Sequence, residues 1–422
     1  MFKQYLKQIK YLWKSNPLFS IISVLATALT ITFVMVLFMV YAFRTKDIAP
    51  ENNRSRILYS EGGLSYFTKD NSQINTGMSA KAAQAIFEGL ENAEAVSYCV
   101  AKGEGAAYVG TSPSNSEKRI VSSVDDVFFN IFKFQFIEGQ AFTPEQAEAA
   151  RRECIITDKV AMKLFNTTDV IGKNINVNFF DYRITGVVKS VSSFFNKAYS
   201  DVWLVANKET MNWSPSMSEG LLGNCRIIVL AKKGVSLKKL DKEINEKIEA
   251  FNDQLIDFTF EQSMVTQAQA SFFQRDRKIN PAQIFIALIF ILLVVPAINM
   301  SGLLSTQMKK RSEEIGIRKA YGASNWQVGS QLLFESFLLT IVGGIVGLLL
   351  SFIVLIVFKN MLLADIMTIN ASESFNLPLS FFFNPWIFFL MFIFCLVINL
   401  LSAIVPVWNA SRTTIIQTIK GK

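Results

Sequence analysis

Four long apolar runs, at about 19–43, 282–304, 331–358 and 384–408, punctuate a chain whose other stretches are of ordinary polarity. Each is nearly uncharged and close to the roughly 20 residues with which a helix crosses a bilayer core, so the pattern predicts four membrane-spanning helices. The stretch between the first two runs behaves differently. "SRILYS", "AVSYCV", "KRIVSSV", "INVNFFDYRITGVV", "DVWLV" and "CRIIVLAKK" carry β-branched and aromatic residues in partial alternation, which predicts strands; 79–92, 157–165 and 236–251 read as helices. Such a mixture predicts an α+β domain with room for two lobes, Gly172 and Gly186 serving turns or bulges between strands.

The fold class expected is therefore an α-helical membrane protein with four transmembrane helices and a large α+β extracytoplasmic domain inserted between the first and second. In order, the segments are an interfacial amphipathic helix at 1–18, a span at 19–43, the domain at 44–281, a span at 282–304, a polar loop at 305–330, a span at 331–358, a short loop at 359–383, a span at 384–408 and a tail at 409–422. In the first segment Phe2, Leu6, Ile9 and Trp13 share one helical face opposite Lys3, Lys7, Lys10 and Lys14, which suits a helix lying in the headgroup layer. A plain basic flank orienting the first span is the alternative. The first run exceeds the apolar core of a signal peptide and is followed by Arg44, Thr45 and Lys46, so it reads as a retained anchor.

Charge orients the spans. Lys3, Lys7, Lys10 and Lys14, then Lys309, Lys310, Arg311, Arg318 and Lys319, then Arg412, Lys420 and Lys422 fall on one side, and the loop at 359–383 holds one Lys. Both termini and the 305–330 loop thus face the cytoplasm, with the large domain opposite. Across all 422 residues the composition is 51% hydrophobic and the net charge +8, with mean hydropathy +0.31 and pI ≈ 9.1. In a soluble protein that basicity would raise nucleic-acid binding; beside apolar runs it is explained by membrane orientation, and no nucleic-acid partner is expected.

Enzyme chemistry is not indicated. The sequence has no histidine, hence neither the usual general base nor the commonest metal ligand. Cys99, Cys154 and Cys225 lie in the outer domain without CxxC spacing, which leaves a single disulfide open, and Cys395 lies in the fourth run. Asp125 and Asp126 are adjacent acids whose ordinary reading is a helix cap and its solvated neighbour. No GxxxxGK[ST] occurs; Gly172–Lys173 lacks the preceding glycine spacing and the following hydroxyl, so no phosphate cradle is present.

The polar loop is the most distinctive stretch. In "KKRSEEIGIRKAYGAS", residues 309–324, Ser312, Glu313 and Glu314 suit a helix start, Arg318 and Lys319 its far end, and Gly322 a stop. Ile315, Ile317 and Ala320 add apolar surface suited to docking in a groove. Glu335, early in the third run, is expected to pair with a basic residue of this region such as Lys309 or Arg318. Gly343 and Gly347 form a GxxxG that suits close helix approach, within one subunit or across a dimer.

With Asn299 and Met300 before it and "LLFES" after it, "RSEEIGIRKAYGAS" resembles the signature of the MacB/FtsX-type permeases of ABC transporters. The resemblance extends to "VDDVFFNIFKFQFIEGQAF", "CIITDKVAMKLFN", "VIGKNINVNFFDYRITGVVKSV" and "VPVWNASRT", which look like the family's periplasmic core and C-terminal motifs. What the resemblance implies is a MacB-like periplasmic core domain, a homodimer or a heterodimer with a paralogous permease, and separate cytoplasmic ABC ATPase subunits that carry ATP and Mg, with no cofactor in this chain. The ATPase-coupling residues it implies are Arg311, Glu313, Glu314, Ile315, Gly316, Ile317, Arg318, Lys319, Tyr321 and Gly322; Asn299, Glu335, Gly343 and Gly347 are expected in transmembrane packing. The setting implied is the lipid bilayer of a bacterial inner membrane, for efflux or for envelope substrate or lipoprotein transport, with a periplasmic or outer-membrane partner left open. A non-transporting regulator of a cell-wall hydrolase and a membrane-tethered sensor are the alternatives.

Overall fold

The computed structural model describes residues 17–68, 72–74, 76–100, 107–149, 151–195, 197–206, 220–223, 225–272, 281–292, 294, 312–363 and 385–412. The amphipathic segment expected before residue 17, Asn299, Arg311 and most of the loop at 359–383 lie outside them. The chain forms two compact units, one of apolar helices and one that includes Phe43–Pro281.

The first described element is α1 (Pro17–Thr45). After a 3-10 turn at Arg54–Arg56 come β1 (Ile57–Phe67), β2 (Gln73–Ile74), β3 (Gly77–Met78), α2 (Ala80–Phe87), β4 (Ala93–Val100), β5 (Ala107–Ser112), β6 (Asn115–Arg119) and β7 (Val121–Val124). Then follow α3 (Phe128–Ile131), β8 (Phe136–Gly139), α4 (Pro144–Glu148), β9 (Glu153–Thr157), α5 (Asp158–Phe165), β10 (Asn174–Val177), β11 (Phe180–Val188) and β12 (Val202–Val205). The outer unit closes with β13 (Leu222–Gly223), β14 (Cys225–Ala231), α6 (Leu237–Asn252), β15 (Phe258–Thr266) and α7 (Gln267–Phe272). Ser79, Thr157 and Ser236 start α2, α5 and α6 by accepting hydrogen bonds from Ala82, Val160 and Lys239, so each of these helices begins at a hydroxyl cap.

One sheet runs in the order β15-β1-β14-β4-β7-β12-β9-β11-β10-β5-β6. It serves two cores, so the room for two lobes is filled. Antiparallel β15, β1, β14 and β4 bury Leu58, Ile227, Val229 and Phe260 against Phe87 of α2 and Leu240 and Ile244 of α6. In the second lobe Cys154 and Ile156 of β9, Ile184 of β11 and Val202 of β12 pack with Val160 of α5. Both β9 with β11 and β7 with β12 are parallel pairs. Their unbroken apolar runs, "CII" and "VWLV", are those of strands covered on both faces. On the second lobe's other face the phenylalanines of "FFNIFKFQF" converge on Trp203: the rings of Phe129 and Phe134 lie 5.9 and 5.0 Å from it. The two lobes share one register pair, Cys99↔Val124. Gly172 holds a turn at φ +83°, and Gly186 lies at a register shift opposite β9.

Cys99, Cys154 and Cys225 are buried thiols outside any disulfide. Cys225 stands opposite Val100 and Cys99 opposite Arg226, so the two neighbouring cysteines project from opposite faces of the sheet and do not form the bridge left open by the sequence.

Where α1 ends, a buried ion pair gathers three segments of the outer unit. Arg54 Nε contacts Glu51 Oε2 at 2.6 Å, with 1% and 0% of the two side chains exposed. Arg54 also donates to the carbonyls of Phe43 (2.8 Å) and Lys46 (3.3 Å), capping the last turn of α1. Its guanidinium lies 5.3 and 5.1 Å from the ring centroids of Phe194 and Phe195. Glu51 accepts from the Ala198 N–H (3.2 Å) and from Gln267 Nε2 at the start of α7 (3.4 Å).

The helical unit continues with α8 (Pro281–Leu292), α9 (Ser312–Ala320), α10 (Asn325–Leu363) and α11 (Pro385–Arg412). Ser20–Thr45 of α1 and Asn325–Phe358 of α10 are long and apolar enough to cross a membrane. A Cβ added at Gly343 would come within 2.8 Å of Thr27 Cβ, and one at Gly347 within 2.7 Å of the Ala28 carbonyl. Thr32 Oγ1 donates to the Gly347 carbonyl at 3.1 Å. The GxxxG therefore seats α1 against α10 within one subunit, the small residues letting the backbones meet.

Candidate coupling site

The described residues of the expected coupling set are placed by helix periodicity and by the ends of α9. Ile315, 4% exposed, is buried with Val328 and Leu332 of α10 and Ala403 and Val407 of α11. Gly316 is buried beside it. Arg318 bonds Glu314 Oε1 one turn back (2.5 Å) and Gln331 Oε1 on α10 (2.6 Å), bridging the two helices. Partial burial pushes the Lys319 ammonium below its ordinary value. Gly322 closes α9 at φ +90°, a left-handed conformation that favours glycine, and the Ala323 N–H returns to the Arg318 carbonyl at 3.1 Å. Ser324 then opens α10 through a reciprocal cap with Gln327: the Gln327 N–H donates to Ser324 Oγ (3.2 Å) and the Ser324 N–H to Gln327 Oε1 (2.9 Å).

The isoleucines expected to form one docking surface divide. Ile315 is an anchor inside the helical unit, whereas Ile317 is 60% exposed and Tyr321 90%. Trp326, which the sequence reading assigned no role, is 78% exposed in the first turn of α10. Its signal was legible: an indole just past a helix cap and ahead of the apolar run that buries Val328 and Leu332. The backbone of Glu313 lies within α9. Of the two partners expected for Glu335, Lys309 lies outside the described residues, and the Arg318 guanidinium is taken by Glu314 and by Gln331, one turn short of Glu335.

In the outer unit Asp125 and Asp126 part company. Asp125 accepts from Ser97 Oγ (2.6 Å), the Tyr98 N–H (2.7 Å) and the Phe128 N–H (3.0 Å), which ties β4 to the start of α3 where the two lobes join. Burial raises its carboxyl to about 7 against those hydrogen bonds, which pull it down. Gly172–Lys173 leads into a strand and not into a helix N-terminus, so the pair has no phosphate-binding context.

A polar linker helix packed on apolar helices, together with a two-lobed α+β domain, fits a membrane permease with an extracytoplasmic domain. The chain belongs to the MacB/FtsX-type ABC permease family: the model for the MacB-like periplasmic core domain matches residues 20–247 and that for the FtsX-like permease C-terminal region residues 284–415. It is 27% identical over 239 residues to the macrolide export ATP-binding/permease protein MacB 1 of Yersinia pestis bv. Antiqua (strain Antiqua), covering 55% of this chain and 34% of that protein. To the MacB protein of Escherichia coli (strain K12) it is 26% identical over 240 residues, covering 55% and 35%. The chain thus spans about a third of the length of the curated relatives it matches. Among solved structures, the periplasmic region of MacB from Actinobacillus actinomycetemcomitans is similar at 12% identity and a TM-score of 0.33, over 48% of this chain and 88% of that one. The extracellular domain of the noncanonic ABC-type transporter YknZ from Gram-positive bacteria is similar at 14% identity and a TM-score of 0.34, over 48% and 99%.

Proposed function

We propose that this chain is the membrane subunit of a MacB/FtsX-type ABC transporter. A separate cytoplasmic ATPase, carrying ATP and Mg, drives a conformational change of the extracytoplasmic domain for efflux or for transport of an envelope substrate or lipoprotein. Four spans in a bacterial inner membrane, cytoplasmic termini and pairing with a second permease, identical or paralogous, belong to this reading.

The observation that carries it is the division of labour around α9. Ile315 and the Arg318 bridge hold the helix on α10 and α11, while Ile317, Tyr321 and Trp326 stand exposed. Burying a large apolar side chain is worth about 1.5–3 kcal/mol, so a groove on an ATPase that covered Ile317 and Tyr321 would gain several kcal/mol from them. The bridge to α10 then carries the motion onward.

The variant Ile317→Ala with Tyr321→Ala is expected to insert and to keep its thermal stability, while the cognate ATPase co-purifies at least about tenfold less well, a change of about 1.4 kcal/mol. Undiminished ATPase retention in that variant refutes the docking role. Glu314→Ala with Arg318→Ala is expected to retain the ATPase but to uncouple its hydrolysis from transport.

A further inference from the structure

The turn joining β10 to β11 holds a phenylalanine in a conformation suited to glycine. Asn178 (φ 47°) and Phe179 (φ 72°) both lie in the left-handed region, as a two-residue hairpin turn requires, and Asn-Gly is the pair that best meets the requirement. The Phe179 ring is 80% exposed, so the side chain gains little from burial while its backbone is strained. The turn is nonetheless firmly built. Asn176 Oδ1 accepts from the Phe179 N–H (3.0 Å) and Asn176 Nδ2 donates to Asp181 (2.7 Å). Asn178 Oδ1 accepts from the Tyr108 N–H (2.8 Å), and the Asn178 N–H donates to the Tyr108 carbonyl (3.0 Å). A strained residue that its surroundings over-determine, and that offers an aromatic ring to water, points to a function outside the domain's own stability.

The flanks of the turn describe what it meets. Val177 pairs with Phe180 and with Val109, which sets Phe180 on the core side of the sheet, whereas Tyr108 pairs with Lys118 on the other side. Each flanking ring carries a cation: Arg152 lies 4.7 Å from the Phe180 centroid and Lys118 lies 6.0 Å from that of Tyr108. The nearby carboxylates are already engaged, Asp181 by Asn176 and Glu117 by Lys163 (2.6 Å) and Arg119 (3.3 Å). Among the described residues neither Arg152 nor Lys118 forms an ion pair. The turn is thus a ridge with an aromatic crest and a cation on each slope. A flat lipid surface would engage the crest alone; a cleft engages crest and slopes together.

We propose that the 178–179 turn is a docking ridge that inserts Phe179 into an apolar cleft of an acidic protein partner on the outer side, with Arg152 and Lys118 meeting carboxylates on the two cleft walls. The inference is independent of the ATPase reading, since no residue of α9 or α10 enters it.

The test uses the full chain in its native membranes with the photocrosslinker benzoylphenylalanine at position 179, and at the exposed Ile256 as a control. The expected result is a single protein adduct at 179 and not at 256, whose crosslinked peptide is rich in Asp and Glu, and whose yield falls about tenfold when Arg152→Glu and Lys118→Glu are combined. In parallel, Phe179→Gly is expected to raise the thermal midpoint of the purified chain by roughly 2–4 °C by relieving the strained backbone, while retention of the crosslinked partner falls about tenfold. Lipid adducts alone, an adduct with a second copy of this chain, a yield indifferent to charge reversal, or Phe179→Gly with undiminished partner retention would each overturn the proposal.

Discussion

Replacing Arg54 by Met is the sharpest perturbation of the outer unit, because the change removes a cation from a site closed to bulk solvent. The side chain is 1% exposed and its partner Glu51 0%. Its loss takes a donor from the carbonyls of Phe43 and Lys46 and leaves the Glu51 carboxylate with the Ala198 N–H at 3.2 Å and Gln267 Nε2 at 3.4 Å. Breaking a buried pair from one side costs about 3–5 kcal/mol, mostly the penalty of the stranded charge. In a domain of 150–250 residues each kcal/mol shifts the midpoint by about 2–4 °C, so a fall of roughly 6–20 °C is expected. The double variant Glu51→Leu with Arg54→Met removes both charges and keeps an apolar stem between Phe194 and Phe195, so it is expected to recover most of the loss and lie within about 1–2 kcal/mol of the wild type. Thermal unfolding of the full chain in detergent, followed by tryptophan fluorescence from the buried Trp203, reads both. A single variant within about 1 kcal/mol of wild type, or a double variant no more stable than the single, refutes the reasoning.

Ile315→Asp buries a carboxylate among Val328, Leu332, Ala403 and Val407, and proteolysis at 312–324 is expected to accelerate in that variant but not in Ile317→Asp. Gly347→Leu sets side-chain atoms where the Ala28 carbonyl lies 2.7 Å from an added Cβ, and a clear fall in the thermal midpoint is expected, since backbone cannot yield as a flexible side chain would. The carboxyl of Asp125 titrates at about 7 folded against about 4 unfolded, so its contribution is full below pH 4 and is lost as pH rises through 7. Unfolding at several pH values is expected to show a declining limb between pH 4 and 7, worth up to about 4 kcal/mol, that Asp125→Asn abolishes.

The α+β class, the positions of α2, α5 and α6, and the strands at β4, β11, β12 and β14 were legible because each is a period-two or helical apolar pattern bounded by a cap or a turn residue. β6, "NSEKR", was hidden: an edge strand with one partner needs no apolar face, so its pattern is that of a loop. The stretch expected to couple to an ATPase was legible as a helix, but not which of its residues face inward. Ile315 and Ile317 are alike in chemistry and two positions apart, and only the helix phase, fixed by contacts with Val328 and Val407 far along the chain, decides which one faces inward. The Arg54–Glu51 pair escaped notice for a related reason, since its spacing reads as an ordinary surface pair and its burial depends on Phe194, Phe195 and Gln267. Phe179 was concealed inside "INVNFFDYRITGVV", which reads as one strand, because the break at Asn178 carries no glycine to mark a hairpin turn.

The transmission proposed above works only if its joints do not absorb the force, and in each unit an arginine ties neighbouring segments together. Arg318 binds both its own helix and the next, so bending the link between α9 and α10 must break a charge-assisted hydrogen bond as well as withdraw Ile315 from its apolar seat. Arg54 acts likewise in the outer unit, where the end of α1, the 194–198 turn and the start of α7 share one buried charge pair. Pairs of this kind add little net stability over apolar replacements, but their directionality penalises sliding in a way that an apolar contact does not. Stability and coupling should therefore separate: the Glu51→Leu, Arg54→Met double variant is expected to melt near the wild type yet transmit less well, seen as ATPase turnover retained while transport per ATP falls. Equal transport per ATP in the two proteins would reduce the arginine joints to ordinary packing.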